Sequence, residues 1–317
     1  HGGGGKDIME GNDAFQTITR THVRFGTTSL LATTMTAPVD EISRVLGEIG
    51  TYCESRPTGT ARVLGVHLEG PYINPGKLGA QPNFAHTALT AEVEECLRLA
   101  PIRVITIAPE IAGHDGLIRA LSERGVRMQI GHTLGSYEEG VAALAAGATS
   151  FTHLYNAMSP LHHREPGIVG AALAHAKYAE LIPDLLHVHP GAMRVALRAI
   201  PCLYRDTGST AAAGMPDGEY KLGSHTVTKC LGGVRLADGT LAGSTLTMDQ
   251  ALRNLVKIGL PISEASQRLS QFPADYLGLE ERGRLQPGSF ADCVRLDRSL
   301  HLTDVMVEGE TIDFKNA

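Results

Sequence analysis

The sequence predicts an α/β protein: a (β/α)8 barrel of the TIM type followed by part of a small β-sandwich. Three observations predict it. Short runs rich in β-branched residues alternate with amphipathic helical runs along most of the chain, which is typical of parallel βα units. Polar residues able to do chemistry follow several strands, as they do at the carboxyl-terminal face of a barrel. After about Gly283 the alternation stops and a hairpin pattern replaces it.

Seven strands are predicted, at residues 29–34, 62–68, 103–108, 126–130, 149–152, about 180–186 and about 202–206. The first helical run has no strand before it, and its apolar face carries Phe15, Ile18, His22 and Phe25. We therefore expect the first strand of the barrel to end near His1 and to be missing from this sequence. A doubly wound open sheet is the alternative, but such a sheet binds its ligand at one switch point rather than at many strand ends.

Helices between the strands are predicted from spacing and from capping residues. Apolar residues recur at helical spacing over residues 42–49. Ser136 with Glu139, and Thr247 with Gln250, have the spacing of a capping box, in which each side chain bonds the other residue's backbone N–H. We expect helices to begin directly after Ser136 and Thr247.

Two domains are expected, a barrel over residues 1–282 and the C-terminal strands of a sandwich over residues 283–317. Turn residues flank two β-rich runs, at 293–296 and 305–307, which predicts a β-hairpin. Two strands alone are only marginally stable in water. We expect this hairpin to need partner strands that the sequence does not supply.

Composition excludes several classes of protein. With 28 Lys and Arg against 34 Asp and Glu, the net charge is −6, and no basic stripe is present, so nucleic acid and anionic membranes are not expected as partners. No apolar run is long enough to span a bilayer, and no signal peptide is visible. The five cysteines are scattered without a CxxC pair, which is typical of reduced thiols. We expect a cytoplasmic protein.

Candidate metal ligands stand at the ends of predicted strands. They are Glu69 in HLEGPYI, His132 in GHT and His153 in THLYNAM, with His1 as a further candidate. A single histidine at a strand end is more often a structural, hydrogen-bonded residue. A carboxylate in a mostly apolar run is rarer, because burying it unpaired is costly. Three such residues favour a catalytic divalent metal, which takes about three protein ligands and leaves one position open.

The loop after His153 offers groups that bind anions. Asn156 carries amide donors, and Arg164, which follows two histidines, presents a planar fork suited to phosphate or carboxylate. The alternative is an ordinary solvated loop. Because the loop begins at a candidate metal ligand, we expect it to face the same site.

The last two strands supply candidates for proton transfer. His187 and His189 follow the strand near 180–186, and His189 adjoins the start of a helix at Pro190, so His187 is the better candidate to bond a substrate carbonyl. Asp206 is the one carboxylate near the end of the next strand, because Asp217 lies in a Pro-Asp-Gly turn. An aspartate there is the expected general acid and base of a metal-dependent hydrolase.

A series of motifs runs in one order from residue 1 to about 310. They are HGGGGKD, HLEGPYINPGKLGAQ, APE, GHT, THLYNAM, HHREPG, HVHP, AAAGMPDGEY, LAGSTLTMDQA and a terminal GxxxPGxxAD. In this order they resemble the N-acetylglucosamine-6-phosphate deacetylases of the amidohydrolase superfamily. The resemblance implies a (β/α)8 barrel with a small β-sandwich, a cytoplasmic homodimer, and hydrolysis of the N-acetyl group to give glucosamine 6-phosphate and acetate.

The resemblance also implies roles for residues. One divalent ion, zinc or iron, is expected to be bound by Glu69, His132 and His153. Substrate binding falls to residues of two later loops: Asn156, the backbone of Ala157 and Arg164 for the phosphate or sugar, and His187 for the acetamide carbonyl or hydroxyls.

Three positions depart from the family pattern. Members carry an HxH or HxN pair at the first strand, of which only His1 is present. Where members have a histidine in the loop after the glutamate ligand, this chain has Gln81, which is able to hydrogen-bond substrate but not to titrate. The family's catalytic aspartate lies six residues before the glycine of AAAG, and this position is Gly208. Asp206 comes two residues early, a displacement of ~6.6 Å along a strand.

Three functions follow from these observations. The leading one is a metal-dependent deacetylase of phosphorylated amino sugars. A sugar-phosphate-binding homologue with impaired turnover is the second, because of Gly208. An amidohydrolase acting on a different amide is the third, although HHREPG favours a phosphorylated substrate.

Overall fold

The computed structural model describes residues 1–313. The predicted C-terminal segment 283–317 therefore extends over four residues, 314–317, that lie outside the described part. Two short strands open the chain, β1 (Gly2–Gly3) and β2 (Lys6–Asp7), and they pair antiparallel.

Seven strands with parallel pairing follow, in the order that the sequence predicts. They are β3 (Ser29–Thr33), β4 (Arg62–Glu69), β5 (Ile102–Ile107), β6 (Arg127–Ile130), β7 (Ser150–Phe151), β8 (Tyr178–Leu181) and β9 (Cys202–Arg205). The first five form one sheet in chain order, and β8 pairs with β9. A bond from the Leu154 N–H to the Glu180 carbonyl connects the end of β7 to β8. The predicted α/β class is confirmed.

Helices separate the strands up to β9 and also follow one another, three in a row, later in the chain. They are α1 (Asp13–Val23), α2 (Val39–Cys53), α3 (Thr90–Leu99), α4 (His114–Glu123), α5 (Tyr137–Ala146), α6 (Gly167–His175), α7 (Pro190–Ala199), α8 (Met248–Lys257), α9 (Ile262–Leu269) and α10 (Gln271–Leu277). In α2 the predicted apolar face is buried, and it consists of Ile42, Val45, Leu46 and Ile49. Full burial of each such side chain contributes about 1.5–3 kcal/mol. Helix α2 is thereby fixed against the parallel sheet.

One predicted capping box is confirmed and the other is wrong. Ser136 and Glu139 bond each other's backbone N–H groups at the start of α5. At the start of α8, Thr247 makes no side-chain cap bond and instead donates to Asp249 Oδ1 at 2.6 Å. The Thr247 hydroxyl therefore bonds a neighbouring side chain and no backbone N–H of the helix. The helix itself is present as predicted.

The strand predicted near 180–186 is shorter and earlier than expected. It ends at Leu181, and the following residues form a loop before α7. Pro183 has no N–H for a sheet ladder, and Asp184 Oδ1 accepts the N–H groups of Leu186 and His187 at 2.9 Å. These amides are therefore not free to continue the strand.

A four-stranded antiparallel sheet between β9 and α8 was not predicted. Its strands are β10 (Gly218–Leu222), β11 (His225–Cys230), β12 (Gly233–Arg235) and β13 (Leu241–Ser244), paired in chain order. Its small core includes Leu222, Val227 and Val234 and is shared with Met35 and Ala212, which lie outside the sheet. The alternation of apolar and polar residues in 218–230 was the available signal.

The predicted C-terminal hairpin is confirmed as β14 (Cys293–Leu296) and β15 (Leu302–Val307). The expectation that the sequence supplies no partner was wrong, because β16 (Glu310–Thr311) pairs with β15. Val305 and Val307 also pack with Val23 and Ala61 of the barrel region. The sheet is stabilised by this shared core.

A cavity of about 740 Å³ opens between β3 and β9. Among the described residues, β3 pairs only with β4, and β9 pairs only with β8. The strand predicted to end near His1 stays a prediction. Arg205 lines this cavity, is 3% exposed, and has no hydrogen-bond partner among residues 1–313 for any of its guanidinium nitrogens.

Within residues 1–313, no helix is both long enough and apolar enough to cross a membrane.

Candidate metal centre

Three side chains from the ends of three strands of one sheet converge on one point. Glu69 is the last residue of β4, and His132 and His153 follow β6 and β7. One ligand atom from each lies within 4.8 Å of the others. Glu69 Oε1 is 3.1 Å from His132 Nε2 and 3.6 Å from His153 Nε2, and the two Nε2 atoms are 3.0 Å apart. Parallel strands place their carboxyl ends at one edge, which is why residues so distant in sequence meet.

Each imidazole is oriented by a backbone carbonyl. His132 Nδ1 lies 2.8 Å from the Lys77 carbonyl, and His153 Nδ1 lies 3.2 Å from the Asn156 carbonyl. A carbonyl only accepts, so each Nδ1 carries a proton, and the Nε2 of each neutral ring has the lone pair that a metal would use. This arrangement is typical of metal-binding histidines, whose other ring nitrogen is bonded to a carbonyl or carboxylate.

The backbone at both histidines is in the left-handed region, with φ of +48° at His132 and +32° at His153. Non-glycine residues rarely adopt this conformation, and it costs of order 1–3 kcal/mol at each such position. Such strain persists where surrounding contacts fix the backbone, and it is concentrated at functional sites.

Electrostatics favour an ionised carboxylate at the centre. Burial alone would raise the pKa of Glu69, but His1, His132 and His153 outweigh it and hold this pKa well below its ordinary value. Burial lowers the pKa of His153, while Glu69 and then Asp206 raise it, and the net shift is upward. Asp206 is therefore close enough to act electrostatically on the cluster.

His1 lies beside the cluster rather than within its three convergent ligand atoms. Its Nε2 is 3.5 Å from Glu69 Oε2, on the carboxylate oxygen that the other two histidines do not use. Burial opposes protonation, but the charge and hydrogen bond of Glu69 raise the pKa of His1 to about 9. The prediction that His1 is a ligand is untested.

Gln81 contacts a candidate ligand directly. Its Oε1 accepts the Thr36 N–H at 2.7 Å, which turns its Nε2 toward Glu69 Oε1 at 2.9 Å. Gln81 thus makes a hydrogen bond, as predicted, but its partner is Glu69. A contact of Gln81 with substrate stays a prediction.

Glu110 belongs to the APE motif, and no role was predicted for it from the sequence. In the structure it connects three loops of the site. Its carboxylate accepts from Asn74 Nδ2 at 2.8 Å, from the Leu134 N–H at 2.7 Å and from Thr133 Oγ1 at 2.5 Å. Thr133 and Leu134 directly follow His132. Glu110 thereby fixes the loop that carries this ligand.

Asp206 stands directly after β9 and lines the cavity together with His1 and Glu69. Its Oδ1 accepts the Gly208 N–H at 3.0 Å. Gly208, where the family pattern has aspartate, lies in the following turn with φ +56°, and a Cβ added there would be 2.8 Å from Ile182 Cδ1. Asp206, not residue 208, is the carboxylate at the strand end.

His187 is paired with a residue that the sequence analysis did not single out. Its Nδ1 lies 2.6 Å from Asp184 Oδ2, and both side chains are 8% exposed. The pair could have been predicted from the sequence, because an aspartate stands three positions before the histidine. His189 caps α7, where its Nδ1 accepts the Gly191 N–H at 3.1 Å, so it faces the turn as expected.

The residues predicted to bind the phosphate or sugar do not all lie at the metal site in this structure. Asn156 is half-buried and donates to the carbonyls of His153 and Leu154, and the Ala157 carbonyl accepts the Thr133 N–H. Arg164 lies in an exposed loop and donates to His163 at 2.9 Å. Asn156 and Ala157 belong to the site's framework, whereas Arg164 makes no hydrogen bond to the cluster of Glu69, His132 and His153 within residues 1–313.

A divalent metal fits the cluster. Two imidazole lone pairs and one ionised carboxylate are the donors that catalytic metal sites use. The two Nε2 atoms face each other at 3.0 Å, and in the described part of the chain, residues 1–313, neither has a hydrogen-bond partner outside the cluster. A cation at this point would satisfy all three side chains.

Comparison with known proteins identifies the family. No family model matches the chain. N-acetylgalactosamine-6-phosphate deacetylase of Escherichia coli O157:H7 is 39% identical over 326 residues, which cover 99% of this chain and 85% of the relative. N-acetylglucosamine-6-phosphate deacetylase of Vibrio furnissii is 36% identical over 320 residues, covering 98% and 80%.

Solved structures agree with these relatives. An aspartate-to-alanine mutant of N-acetyl-D-glucosamine-6-phosphate deacetylase from Mycobacterium smegmatis, in complex with N-acetyl-D-glucosamine-6-phosphate, matches with a TM-score of 0.91 and 34% identity. The match covers 98% of this chain and 84% of that chain. The predicted barrel class and the predicted hydrolase class are confirmed. The chain belongs to the N-acetylglucosamine-6-phosphate deacetylase family.

Proposed function

We propose that this protein hydrolyses the N-acetyl group of N-acetylglucosamine 6-phosphate to give glucosamine 6-phosphate and acetate. The observation that carries the proposal is the convergence of Glu69, His132 and His153, with both imidazoles oriented by backbone carbonyls. Structural packing alone does not require two imidazole Nε2 atoms to face each other beside a buried carboxylate.

These three residues would hold zinc or iron. When bound, a divalent ion of this kind polarises a carbonyl oxygen and makes water acidic enough to attack at neutral pH. Gln81 would keep the Glu69 carboxylate in its ligating orientation, and Glu110 would keep the His132 loop in place. Both act by hydrogen bonds already present in the protein.

Proton transfer falls to Asp206. An amide is hydrolysed when water adds to the carbonyl carbon and the C–N bond breaks. One proton must leave the attacking water, and one must reach the departing amine. Asp206 at the end of β9 would accept the first and return it to the amine, so that the carboxylate is regenerated.

Substrate binding is assigned to loops on the same face. His187 follows β8, next to β9, and would contact the acetamide carbonyl or sugar hydroxyls. Asn156 and the Ala157 backbone would bind the sugar or phosphate. Arg164, from its exposed loop, would bind the phosphate dianion with its planar donors.

The first test is acetate release from N-acetylglucosamine 6-phosphate by protein loaded with zinc or iron. Glu69→Gln preserves side-chain volume but removes the anionic ligand, so we expect bound metal and acetate release both to be lost. Glu95→Gln, in the exposed part of α3, serves as the matched control and should retain both. Failure of the metal-loaded wild type to release acetate would refute the proposal.

A second test isolates the phosphate. Arg164→Ala should raise the KM for the phosphorylated sugar by about tenfold or more, since a charge-assisted bond contributes about 1.5–3 kcal/mol. Activity on unphosphorylated N-acetylglucosamine should change little. Arg98→Ala, an exposed arginine elsewhere, is the control. Equal losses on both sugars would contradict the role of Arg164 in phosphate binding.

The relative from E. coli named for the galactosamine sugar favours a second substrate. The two sugars differ only in configuration at C4. Comparing kcat/KM for the two epimers decides between them, because the metal chemistry at the acetamide is the same for both. Other amides, tested in the same panel, cover the possibility of a different amidohydrolase substrate.

Impaired turnover is the remaining alternative, raised by the glycine at position 208, where the family pattern has aspartate. Thermal stabilisation by the sugar phosphate without acetate release would support a binding protein. We also propose a cytoplasmic homodimer, which light scattering of the purified protein and cell fractionation would test.

A further inference from the structure

We propose that Asp184 is a positioning residue that fixes the tautomer and the orientation of His187, so that only Nε2 is presented to substrate. The inference rests on the proposed function in one respect, the assignment of His187 to the substrate. The geometry of the pair itself does not depend on that assignment.

The contact between the two side chains is short and shielded. Asp184 Oδ2 lies 2.6 Å from His187 Nδ1, and each side chain is 8% exposed. Hydrogen bonds to an ionised group at this distance are about twice as strong as neutral ones. Solvent therefore competes little for either partner.

The Asp184 carboxylate accepts hydrogen bonds on both of its oxygens. Its Oδ1 accepts the N–H groups of Leu186 and His187, both at 2.9 Å. Burial alone would raise the pKa of Asp184, but the bonds from His187 and Leu186 outweigh it, and the net pKa lies below its ordinary value. An ionised carboxylate has no proton to donate. His187 must therefore carry its proton on Nδ1.

The opposite ring nitrogen is left for another partner. Within residues 1–313, His187 Nε2 makes no hydrogen bond to protein, whereas Nδ1 and the backbone N–H are both used by Asp184. Because β8 ends beside β7 and β9, the loop stands on the same face as His153 and Asp206. Nε2 is the atom available to a ligand there.

The loop around the pair is built to hold this geometry. Leu185, between the two residues, has φ +67°, which costs a side-chain-bearing residue roughly 1–2 kcal/mol. The three bonds to Asp184 offset that cost. On the other side, the Pro183 carbonyl accepts Asn254 Nδ2 of α8 at 2.8 Å. The carboxylate is fixed from both ends of the turn.

Elsewhere in the chain, an exposed aspartate–histidine pair has a similar local pattern, with one more residue between the partners, and serves as a control. Asp297 Oδ1 accepts the N–H groups of Ser299 and His301, and its Oδ2 is 3.5 Å from His301 Nδ1. The two side chains are 45% and 67% exposed. Asp297→Asn changes the same chemistry at a distance from the site.

The variant Asp184→Asn is nearly isosteric and tests the inference by kinetics. Its amide N–H₂ is able to donate to Nδ1, which favours the wrong tautomer. We expect kcat to fall on the order of 10²-fold or more while KM changes less, by analogy with the aspartate of a catalytic triad. Asp297→Asn should leave kcat unchanged. Metal content and melting temperature of each variant are measured alongside.

A double-variant cycle separates positioning from a general structural effect. In the His187→Gln background, Asp184→Asn should cause no further loss of kcat, because its only route to the reaction is gone. An undiminished loss in that background would overturn the inference.

The tautomer of His187 is measured by a method that does not depend on enzyme activity. In ¹⁵N-histidine NMR of the metal-loaded wild type, with His187→Gln used to assign the signal, His187 should show a protonated Nδ1 and an unprotonated Nε2. The reverse tautomer in the wild type would overturn the inference even if Asp184→Asn fails to fold. If the wild type releases no acetate, the proposed function fails, and the NMR result still decides the tautomer.

Discussion

At the scale of single residues, the site depends on hydrogen bonds that leave particular atoms free. His132 and His153 give their Nδ1 atoms to carbonyls, and His187 gives its Nδ1 to Asp184. In each case the backbone or a carboxylate uses one ring nitrogen and exposes the other to the site. The same residue types without these partners would rotate and would lose a defined tautomer.

Asp206 carries the sharpest prediction at this scale. Asp206→Asn should reduce acetate release by about 10²–10⁴-fold, because an amide does not accept the proton of the attacking water. Bound metal should be retained, which metal analysis checks.

The companion variant Gly208→Asp should not restore activity to Asp206→Asn. Position 208 lies in the turn after β9 with φ +56°, so a carboxylate there would not stand at the strand end where Asp206 is. Wild-type rates in Asp206→Asn, or rescue by Gly208→Asp, would show that the acid and base lies elsewhere.

At the scale of elements, the loops after the strands are fixed by caps and by contacts with one another. Glu110, after β5, bonds groups from the loops after β4 and β6. The metal ligands are therefore supported by elements adjacent in space rather than in sequence.

The two predicted capping boxes, one present and one absent, are compared by measuring the free energy of unfolding of an alanine variant at each. Ser136→Ala removes a hydroxyl that accepts the Glu139 N–H, so the free energy of unfolding should fall by about 1 kcal/mol. Thr247→Ala should cost less, because Thr247 accepts no N–H at the start of α8. Urea denaturation of both variants checks the difference. Equal losses would contradict the assignment of the cap.

At the scale of the whole molecule, ion pairs connect the C-terminal sheet to the barrel. Glu308 accepts two bonds from Arg62 at 2.9 Å, one from Arg282 at 2.5 Å and one from Arg56 at 3.2 Å. Arg62 belongs to β4, the strand that carries Glu69. The hairpin is thus joined to the strand that positions the metal site.

This connection should depend on pH. Chiefly through its bond from Arg62, the pKa of Glu308 is lowered to about 2, from an ordinary value of 4.5. The folded state therefore binds this proton more weakly than the unfolded state. Its stabilising contribution is complete above about pH 4.5 and is lost as the pH falls toward 2.

The variant Glu308→Gln measures the contribution. At pH 7 it should lower the free energy of unfolding by about 2 kcal/mol, the usual value for bonds to charged groups. The difference from wild type should shrink as the pH falls below 4.5. A difference that is constant from pH 7 to pH 3 would show that the charge of Glu308 does not contribute.

The sequence by itself determined the order of the parallel strands, the helices between them and the three converging residues Glu69, His132 and His153. These follow from local periodicity and from the rule that strand ends meet on one face, and neither requires knowledge of loop conformation. The capping box at Ser136 was readable for the same reason, since its two residues are neighbours.

Only the tertiary structure decided what the loops contact. It directs Gln81 to Glu69, connects three loops through Glu110, and leaves Arg164 exposed beside His163. It also supplied β16 as a partner for the C-terminal hairpin and revealed the sheet of β10 to β13. The physical reason is that these contacts join groups whose distance depends on how whole elements pack, and local patterns of residues carry no information about that distance.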